Sequence, residues 1–344
     1  MSGLVVLAGE VWNGDSFEEG YVVLDDGIVA EFAYGPCPHV PTVRGCIMPG
    51  IVDGHTHLGD SGLRLDRRYG LKELVAPPDG LKHRYLRETP KRKLFDDMRS
   101  YHSRLVKSGV SRVIDFREGG VEGASLMREA CPDSVILGRP ISEEYDSVEM
   151  DAILDIADGI GIPSVSDLPR DYIDAIADHV KRRNKMLALH VSERVREDMD
   201  YVLSLDPDML VHMVKAEDAD MRKCADRGIP VTVCTTSNGY FGMVPPIKRM
   251  IDHGITVAVG TDNGMLFPSA DIFDEMTAFW SVLSFQGGSK DDAFRSLIAH
   301  GRKILYGNSL IEEQTGRRAD LIAFPTDSDS ILEGDRPKPI RYGP

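Results

Sequence analysis

Eight short apolar runs alternate with helical patterns through the middle of this chain, and that alternation limits its fold more than any other feature. The runs are IMPGIVD (47–53), SRVIDF (111–116), SVILG (134–138), DGIGIPS (158–164), KMLALH (185–190), DMLVH (208–212), PVTVC (230–234) and TVAVG (256–260). Helical patterns fall between most of them, for example Asp171 to Arg183 and Ala216 to Arg227. Strands separated by helices or long connections point to a parallel sheet. Eight of them over about 250 residues is the arithmetic of an α/β fold of the (β/α)8 TIM barrel type. The fourth run is the weakest, because its glycines and Pro163 interrupt it.

The ends of the chain read differently. YVVL-DDG-IVAEF (Tyr21 to Phe32) is a strand–turn–strand pattern with Asp26-Gly27 at the turn. The tail TGRRADLIAF (315–324) ends in a strand-like run that can return to the N-terminal β segment. The expected organisation is therefore a barrel over residues 48–306. Segments 1–47 and 307–344 are expected to form a small β-sandwich domain beside it.

Composition excludes several classes of function. A formal net charge of −15 argues against nucleic-acid binding, which needs excess Lys and Arg to neutralise phosphates. Five scattered cysteines, none in a C-x-x-C, fit reduced thiols in a cytoplasmic protein rather than a disulfide framework or a cysteine zinc site. The N-terminus MSGLVVLAGEVW has no basic region and its apolar stretch is broken by Glu10, so it reads as no signal peptide. No segment is long enough to span a membrane, so no membrane partner is expected. Nothing in the sequence decides oligomeric state, and a homo-oligomer stays open.

Within the first barrel run lies PGIVDGHTHLGD, with His55 and His57 at i and i+2. Residues two apart on a strand point to one side, so the pair is half of a metal site. In barrels the active site lies at the C-terminal strand ends. Four more polar residues fall there: His190 after KMLAL, Glu193 three residues on, His212 after DMLV, and Asp262 after TVAVGT. His39, His83, His102, His179, His253 and His300 sit in loops or helical stretches and read as solvated or structural imidazoles.

PGIVDGHTH, LHVSE, LVHM, TTSNGYFG, the run VPPIKRMIDHGITVAVGTDNG and the closing RADLIAF follow one another along the chain. As a set they resemble the amidohydrolase superfamily. The likeness is to its mononuclear aminohydrolase branch of adenosine, cytosine, guanine and S-adenosylhomocysteine deaminases. It covers nearly the whole chain and is weakest from about 60 to 110. It implies one divalent metal ion held by His55, His57, His190 and Asp262, with zinc preferred and ferrous iron also compatible. It implies that Glu193 is the proton shuttle to a ring nitrogen, that Asp262 also accepts the attacking water's proton, and that His212 orients the hydroxide or stabilises the tetrahedral intermediate. The binuclear branch needs a lysine on the fourth strand, and DGIGIPSVSDLP has none, so one ion is expected. The H-x-E…P-C-x-x-C pattern of the unrelated cytidine-type deaminases is also absent.

For the substrate, Arg117 and Glu118 follow the second run, Arg139 the third, and Thr236, Ser237 and Asn238 the seventh. Arg117, Arg139 and Asn238 are candidate substrate contacts, the arginines through paired hydrogen bonds. Residues 59–95 carry ten Lys/Arg against five Asp/Glu, and this basic connection should lie over the barrel mouth. It suggests an anionic substrate, a lid, or simply a solvated face. The leading expectation is an aminohydrolase that releases ammonia from a small nitrogen heterocycle. The alternatives are an imidazolonepropionase-like cyclic-amide hydrolase, which would open a ring instead, and a barrel without catalysis.

Overall fold

Turn chemistry builds the first sheet. The computed structural model describes residues 3–307 and 310–343. Strands β1 (Val5–Trp12), β2 (Phe17–Asp25) and β3 (Ile28–Tyr34) form an antiparallel meander. Asp26 and Gly27, between β2 and β3, both take positive φ, as a tight two-residue hairpin requires. Strand β4 (Val43–Pro49) then adds parallel to β1.

At Gly50 the chain crosses to a second sheet. The stretch 47–53, which reads as one strand, is divided there. Residues up to Pro49 stay in the first sheet, while β5 (Ile51–His57) opens the second. The Gly50 N–H donates to the Asp320 carbonyl at 3.0 Å, and a Cβ at this position would run into Asp320 and Ser111. The strands β6 (Val110–Arg117), β7 (Val135–Gly138), β8 (Gly159–Ile162), β9 (Met186–Val191), β10 (Met209–His212), β11 (Val231–Val233) and β12 (Val257–Val259) follow, each parallel to the last. Strand β13 (Asp262–Asn263) comes two residues after β12 and pairs with β5. The stretch 257–263 therefore touches both edges of this curled, nine-stranded parallel sheet, an arrangement consistent with the TIM-barrel expectation.

Helices cover the outside of the curl. The helix Arg170–Arg182 buries Ile173, Ile176, Ala177 and Val180, an apolar stripe at helical spacing. The glycines that weaken the fourth strand have a packing reason. A Cβ at Gly161 would collide with the Phe116 ring, which fills the space inside the sheet.

After the second sheet, β14 (Leu321–Phe324) pairs with β4, and β15 (Ile340–Tyr342) pairs with β14. The chain termini thus share one six-stranded sheet, in the order β15-β14-β4-β1-β2-β3. This differs from the two facing sheets of a separate sandwich domain. The single sheet wraps around its own apolar face, with Leu7, Val22, Ile47 and Leu321 inside. The far edge returns through Val29, whose N–H donates to the Arg317 carbonyl at 2.9 Å. Of the segments expected here, residues 1–2, 308–309 and 344 lie outside the described residues.

Trp12 and Phe17 of the wrapped sheet meet Phe294 of the barrel region, with the Phe17 and Phe294 centroids 4.9 Å apart. Trp12 and Phe294 are both buried. Phe294→Ala should lower stability by about 3–5 kcal/mol, read as a shift in the denaturant midpoint. An unchanged midpoint would mean that this contact does not tie the two sheets together.

Candidate active site

The C-terminal ends of β5 and β9, with the short β13, bring four candidate ligands to one point. His55 and His57 project to the same side of β5. The His190 Nε2 lies 3.3 Å from the His55 Nε2 and 3.4 Å from the His57 Nε2. The Asp262 Oδ1 lies 3.3 Å from the His55 Nε2 and 3.7 Å from the His57 Nε2. The rings are fixed from behind. The His57 Nδ1 lies 3.0 Å from the Phe116 carbonyl and the His190 Nδ1 3.0 Å from the Ile162 carbonyl. An N–H given to a carbonyl leaves a bare lone pair at Nε2. His55 is held by packing, with the Phe116 ring centroid 4.4 Å away.

Electrostatics agree with this arrangement. Burial lowers the pKa of His55 and His212. Burial and the nearby Lys82 push His57 down to about 4, and burial with the neighbouring imidazoles holds His190 well below its ordinary value. Burial alone would raise the Asp262 carboxyl. The imidazoles of His55, His212 and His57 outweigh it and keep the group well below the usual carboxylate range. The Nε2 lone pairs of His57 and His190 thus face the Asp262 carboxylate, with the His55 Nε2 between them. His55, His57 and His190 converge closely enough to hold a metal ion, as do His55, His212 and Asp262, and such nitrogen and oxygen donors suit zinc or ferrous iron. The fourth strand contributes only the Ile162 carbonyl, behind His190.

Glu193, His212 and Asn238 stand beside this cluster. The Glu193 Oε1 accepts from the Asn238 side-chain amide at 3.3 Å and lies 3.7 Å from the His212 Nε2. The same amide faces the His212 Nδ1 at 3.3 Å. The turn that carries Glu193 is tied by reciprocal bonds. Ser192 N–H donates to the Glu197 carboxylate at 2.9 Å, and Glu197 N–H donates to the Ser192 hydroxyl at 3.0 Å. Burial, and then the Asp262 charge, push Glu193 up to about 8. Ser192, His212 and Asp262 all take positive φ, a backbone cost of about 1–3 kcal/mol each that concentrates at functional sites.

A pocket opens above the cluster and reaches Glu193, His212 and Asp262. Arg139 and Glu118 line it, and Arg139 makes no salt bridge among the described residues. The other two candidate substrate contacts lie elsewhere. Arg117 turns under the pocket, donating to the Glu118 carbonyl at 3.0 Å, and Asn238 is wholly buried behind Glu193 and His212. From the basic connection, Leu71, Val75, Lys82 and His83 reach the pocket wall, so this segment does lie over the mouth. His83, read from the sequence as a solvated or structural imidazole, sits on this wall with its Nε2 3.1 Å from the Val75 carbonyl. Lys82 was not singled out by the sequence either. No periodicity marks these two residues, and only the local excess of positive charge points to their segment.

A profile described as the amidohydrolase family matches residues 46–340. The chain belongs to the amidohydrolase family. This amidohydrolase is 31% identical over 306 residues to a Methanothermobacter thermautotrophicus protein named an aminohydrolase, covering 80% of this chain and 79% of the relative. It is 25% identical over 333 residues to the 5-methylthioadenosine/S-adenosylhomocysteine deaminase of Acetivibrio thermocellus, covering 85% and 75%. The crystal structure of Helicobacter pylori aminofutalosine deaminase in complex with methylthio-coformycin shares the amidohydrolase's fold. Its TM-score is 0.74 at 18% identity, covering 96% and 95% of the two chains. The amidohydrolase is therefore a hydrolase acting on carbon–nitrogen bonds.

Proposed function

We propose that this amidohydrolase is an aminohydrolase (deaminase) that releases ammonia from a small nitrogen heterocycle, using one divalent ion held by His55, His57, His190 and Asp262. Zinc is preferred and ferrous iron also suits the donors. The observation that carries the reading is Glu193. It is a carboxyl with a raised pKa beside the ligand cluster, open to the pocket, on a turn fixed by Glu197.

When bound, such an ion lowers the pKa of water towards neutrality and so supplies a nucleophile. The residues do the rest. Glu193 holds a proton near neutral pH and delivers it to the ring nitrogen next to the carbon under attack. Asp262 accepts the proton that the water loses and returns it to the amino group, whose bond to carbon then breaks to release ammonia. Asn238 donates to the His212 Nδ1, which leaves the His212 Nε2–H free to steady charge on the oxygen of the tetrahedral intermediate. Arg139 takes a polar substituent of the substrate, while Asn238 keeps Glu193 and His212 in line and Arg117 supports the wall from below.

We assign these steps to residues 48–306 as the catalytic unit, with 1–47 and 307–344 as its flanking β domain. Among the described residues no helix is long and apolar enough to cross a membrane, and the five cysteines are free. We place the enzyme in the cytoplasm.

The test is a screen of metal-loaded protein against aminated purines, pyrimidines, pterins and nucleosides, with ammonia measured against product. Equal amounts of ammonia and hydrolysed product are expected. Ring opening of a cyclic amide without ammonia would replace this reading with the imidazolonepropionase-like one.

A further inference from the structure

The helix Leu81–Glu88 buries one residue, and that residue is its lysine. Lys82 is 3% exposed, while Leu81 and Leu86 on the same helix are only half-buried. A lysine is among the residues least often buried, and only where it is paired. The Lys82 Nζ lies 2.6 Å from the Glu118 Oε1 and 3.1 Å from the Asn263 Oδ1, with the Asp60 carboxylate 3.6 Å away. Both close partners touch a proposed metal ligand. The Glu118 Oε1 is 3.1 Å from the His57 Nδ1, and the Asn263 side-chain amide donates to the Asp262 Oδ1 at 2.9 Å. One ammonium thus stands behind two ligands on different strands, β5 and β13.

We infer that Lys82 is a positioning residue of the metal site, setting the orientation of His57 through Glu118 and of Asp262 through Asn263. Stability alone does not account for it. A buried ion pair is often no more stabilising than apolar side chains of the same volume. Groups that orient ligands from behind, by contrast, commonly control metal affinity. Without Lys82, the Glu118 Oε1 keeps only its contact to His57, and the Asn263 carbonyl loses its anchor. Glu118 and Asn263 are then free to turn, which leaves the Phe116 carbonyl as the remaining hold on the His57 Nδ1 and loosens the amide contact to Asp262. The basic connection over the mouth therefore contributes to the metal site as well as to the pocket wall.

The inference rests on the four-ligand reading of the site. The experiment compares full-length wild type, Lys82→Met and Lys82→Arg for zinc affinity, by competition with a chromophoric chelator, and for the visible absorption of the cobalt(II)-loaded protein. Lys82→Met is expected to weaken zinc binding by about 10–100-fold and to alter the cobalt bands. Lys82→Arg, which keeps the cation, should lie closer to wild type in both. A zinc constant for Lys82→Met within about threefold of wild type, with superimposable cobalt bands, would overturn the inference even if stability fell. If Lys82→Met does not fold, Lys82→Gln carries the same two readouts. A wild type that binds no zinc would remove the ligand site itself, a result separate from an unchanged constant in the variant.

Discussion

Glu193→Gln is expected to retain its metal and lose turnover. The substitution keeps size and shape, and the Asn238 amide still has an oxygen to meet at the 3.3 Å position. Glu193 is not one of the converging ligands, so metal content should match wild type. What is lost is the proton that a carboxyl can carry and an amide cannot. Removing a general acid–base group typically costs about 10²–10⁴ in rate. On the barrier that is about 3–5 kcal/mol. The measurement pairs kcat with ions per chain on the same preparation. A kcat near wild type would show that another group moves the proton. Loss of metal together with rate would show that Glu193 serves the ligand site instead.

Asp262→Ala should lose metal and activity together. Asp262 is the one anion among the proposed ligands, and its Oδ1 lies 3.3 Å from the His55 Nε2. Without it, three neutral imidazoles face a divalent charge alone. The loss of affinity should exceed the factor of about 10–100 typical of groups that only support a ligand. Asp262 also takes positive φ, where alanine is strained and asparagine is tolerated. Asp262→Asn is therefore the control for backbone strain. It should fold as wild type does and still bind metal weakly. If Asp262→Ala kept both its metal and its turnover, the assignment of Asp262 would fail.

The parts of the fold written as side-chain pattern were legible in the sequence. Apolar runs such as DMLVH and SRVIDF ended within one residue of β10 and β6, because strands buried on both faces are nearly continuous in hydrophobicity. The six polar residues at strand ends also reach one site, since a parallel barrel delivers all its strand ends to one mouth. What pattern cannot carry is context. The break at Gly50 depends on Asp320, which is far away in sequence. The fourth strand looks weak because Gly161 makes room for Phe116, a constraint that lies on another strand. Lys82 and His83 sit in a short helix whose exposed neighbours give it an ordinary surface composition. Only the folded connection turns them towards the pocket. The single wrapped sheet, where a sandwich was expected, comes from the return of Val29 to 315–317, which no local signal announces.

The most direct test of the account is the metal content of protein purified without chelator, measured by elemental analysis against chain concentration. About one zinc or iron ion per chain is predicted, because the two candidate ligand groups share His55 and the fourth strand offers no side-chain ligand. Two ions per chain would contradict the mononuclear site and favour cyclic-amide hydrolysis. None, in protein that also takes up none on reloading, would contradict the metal-dependent mechanism as a whole.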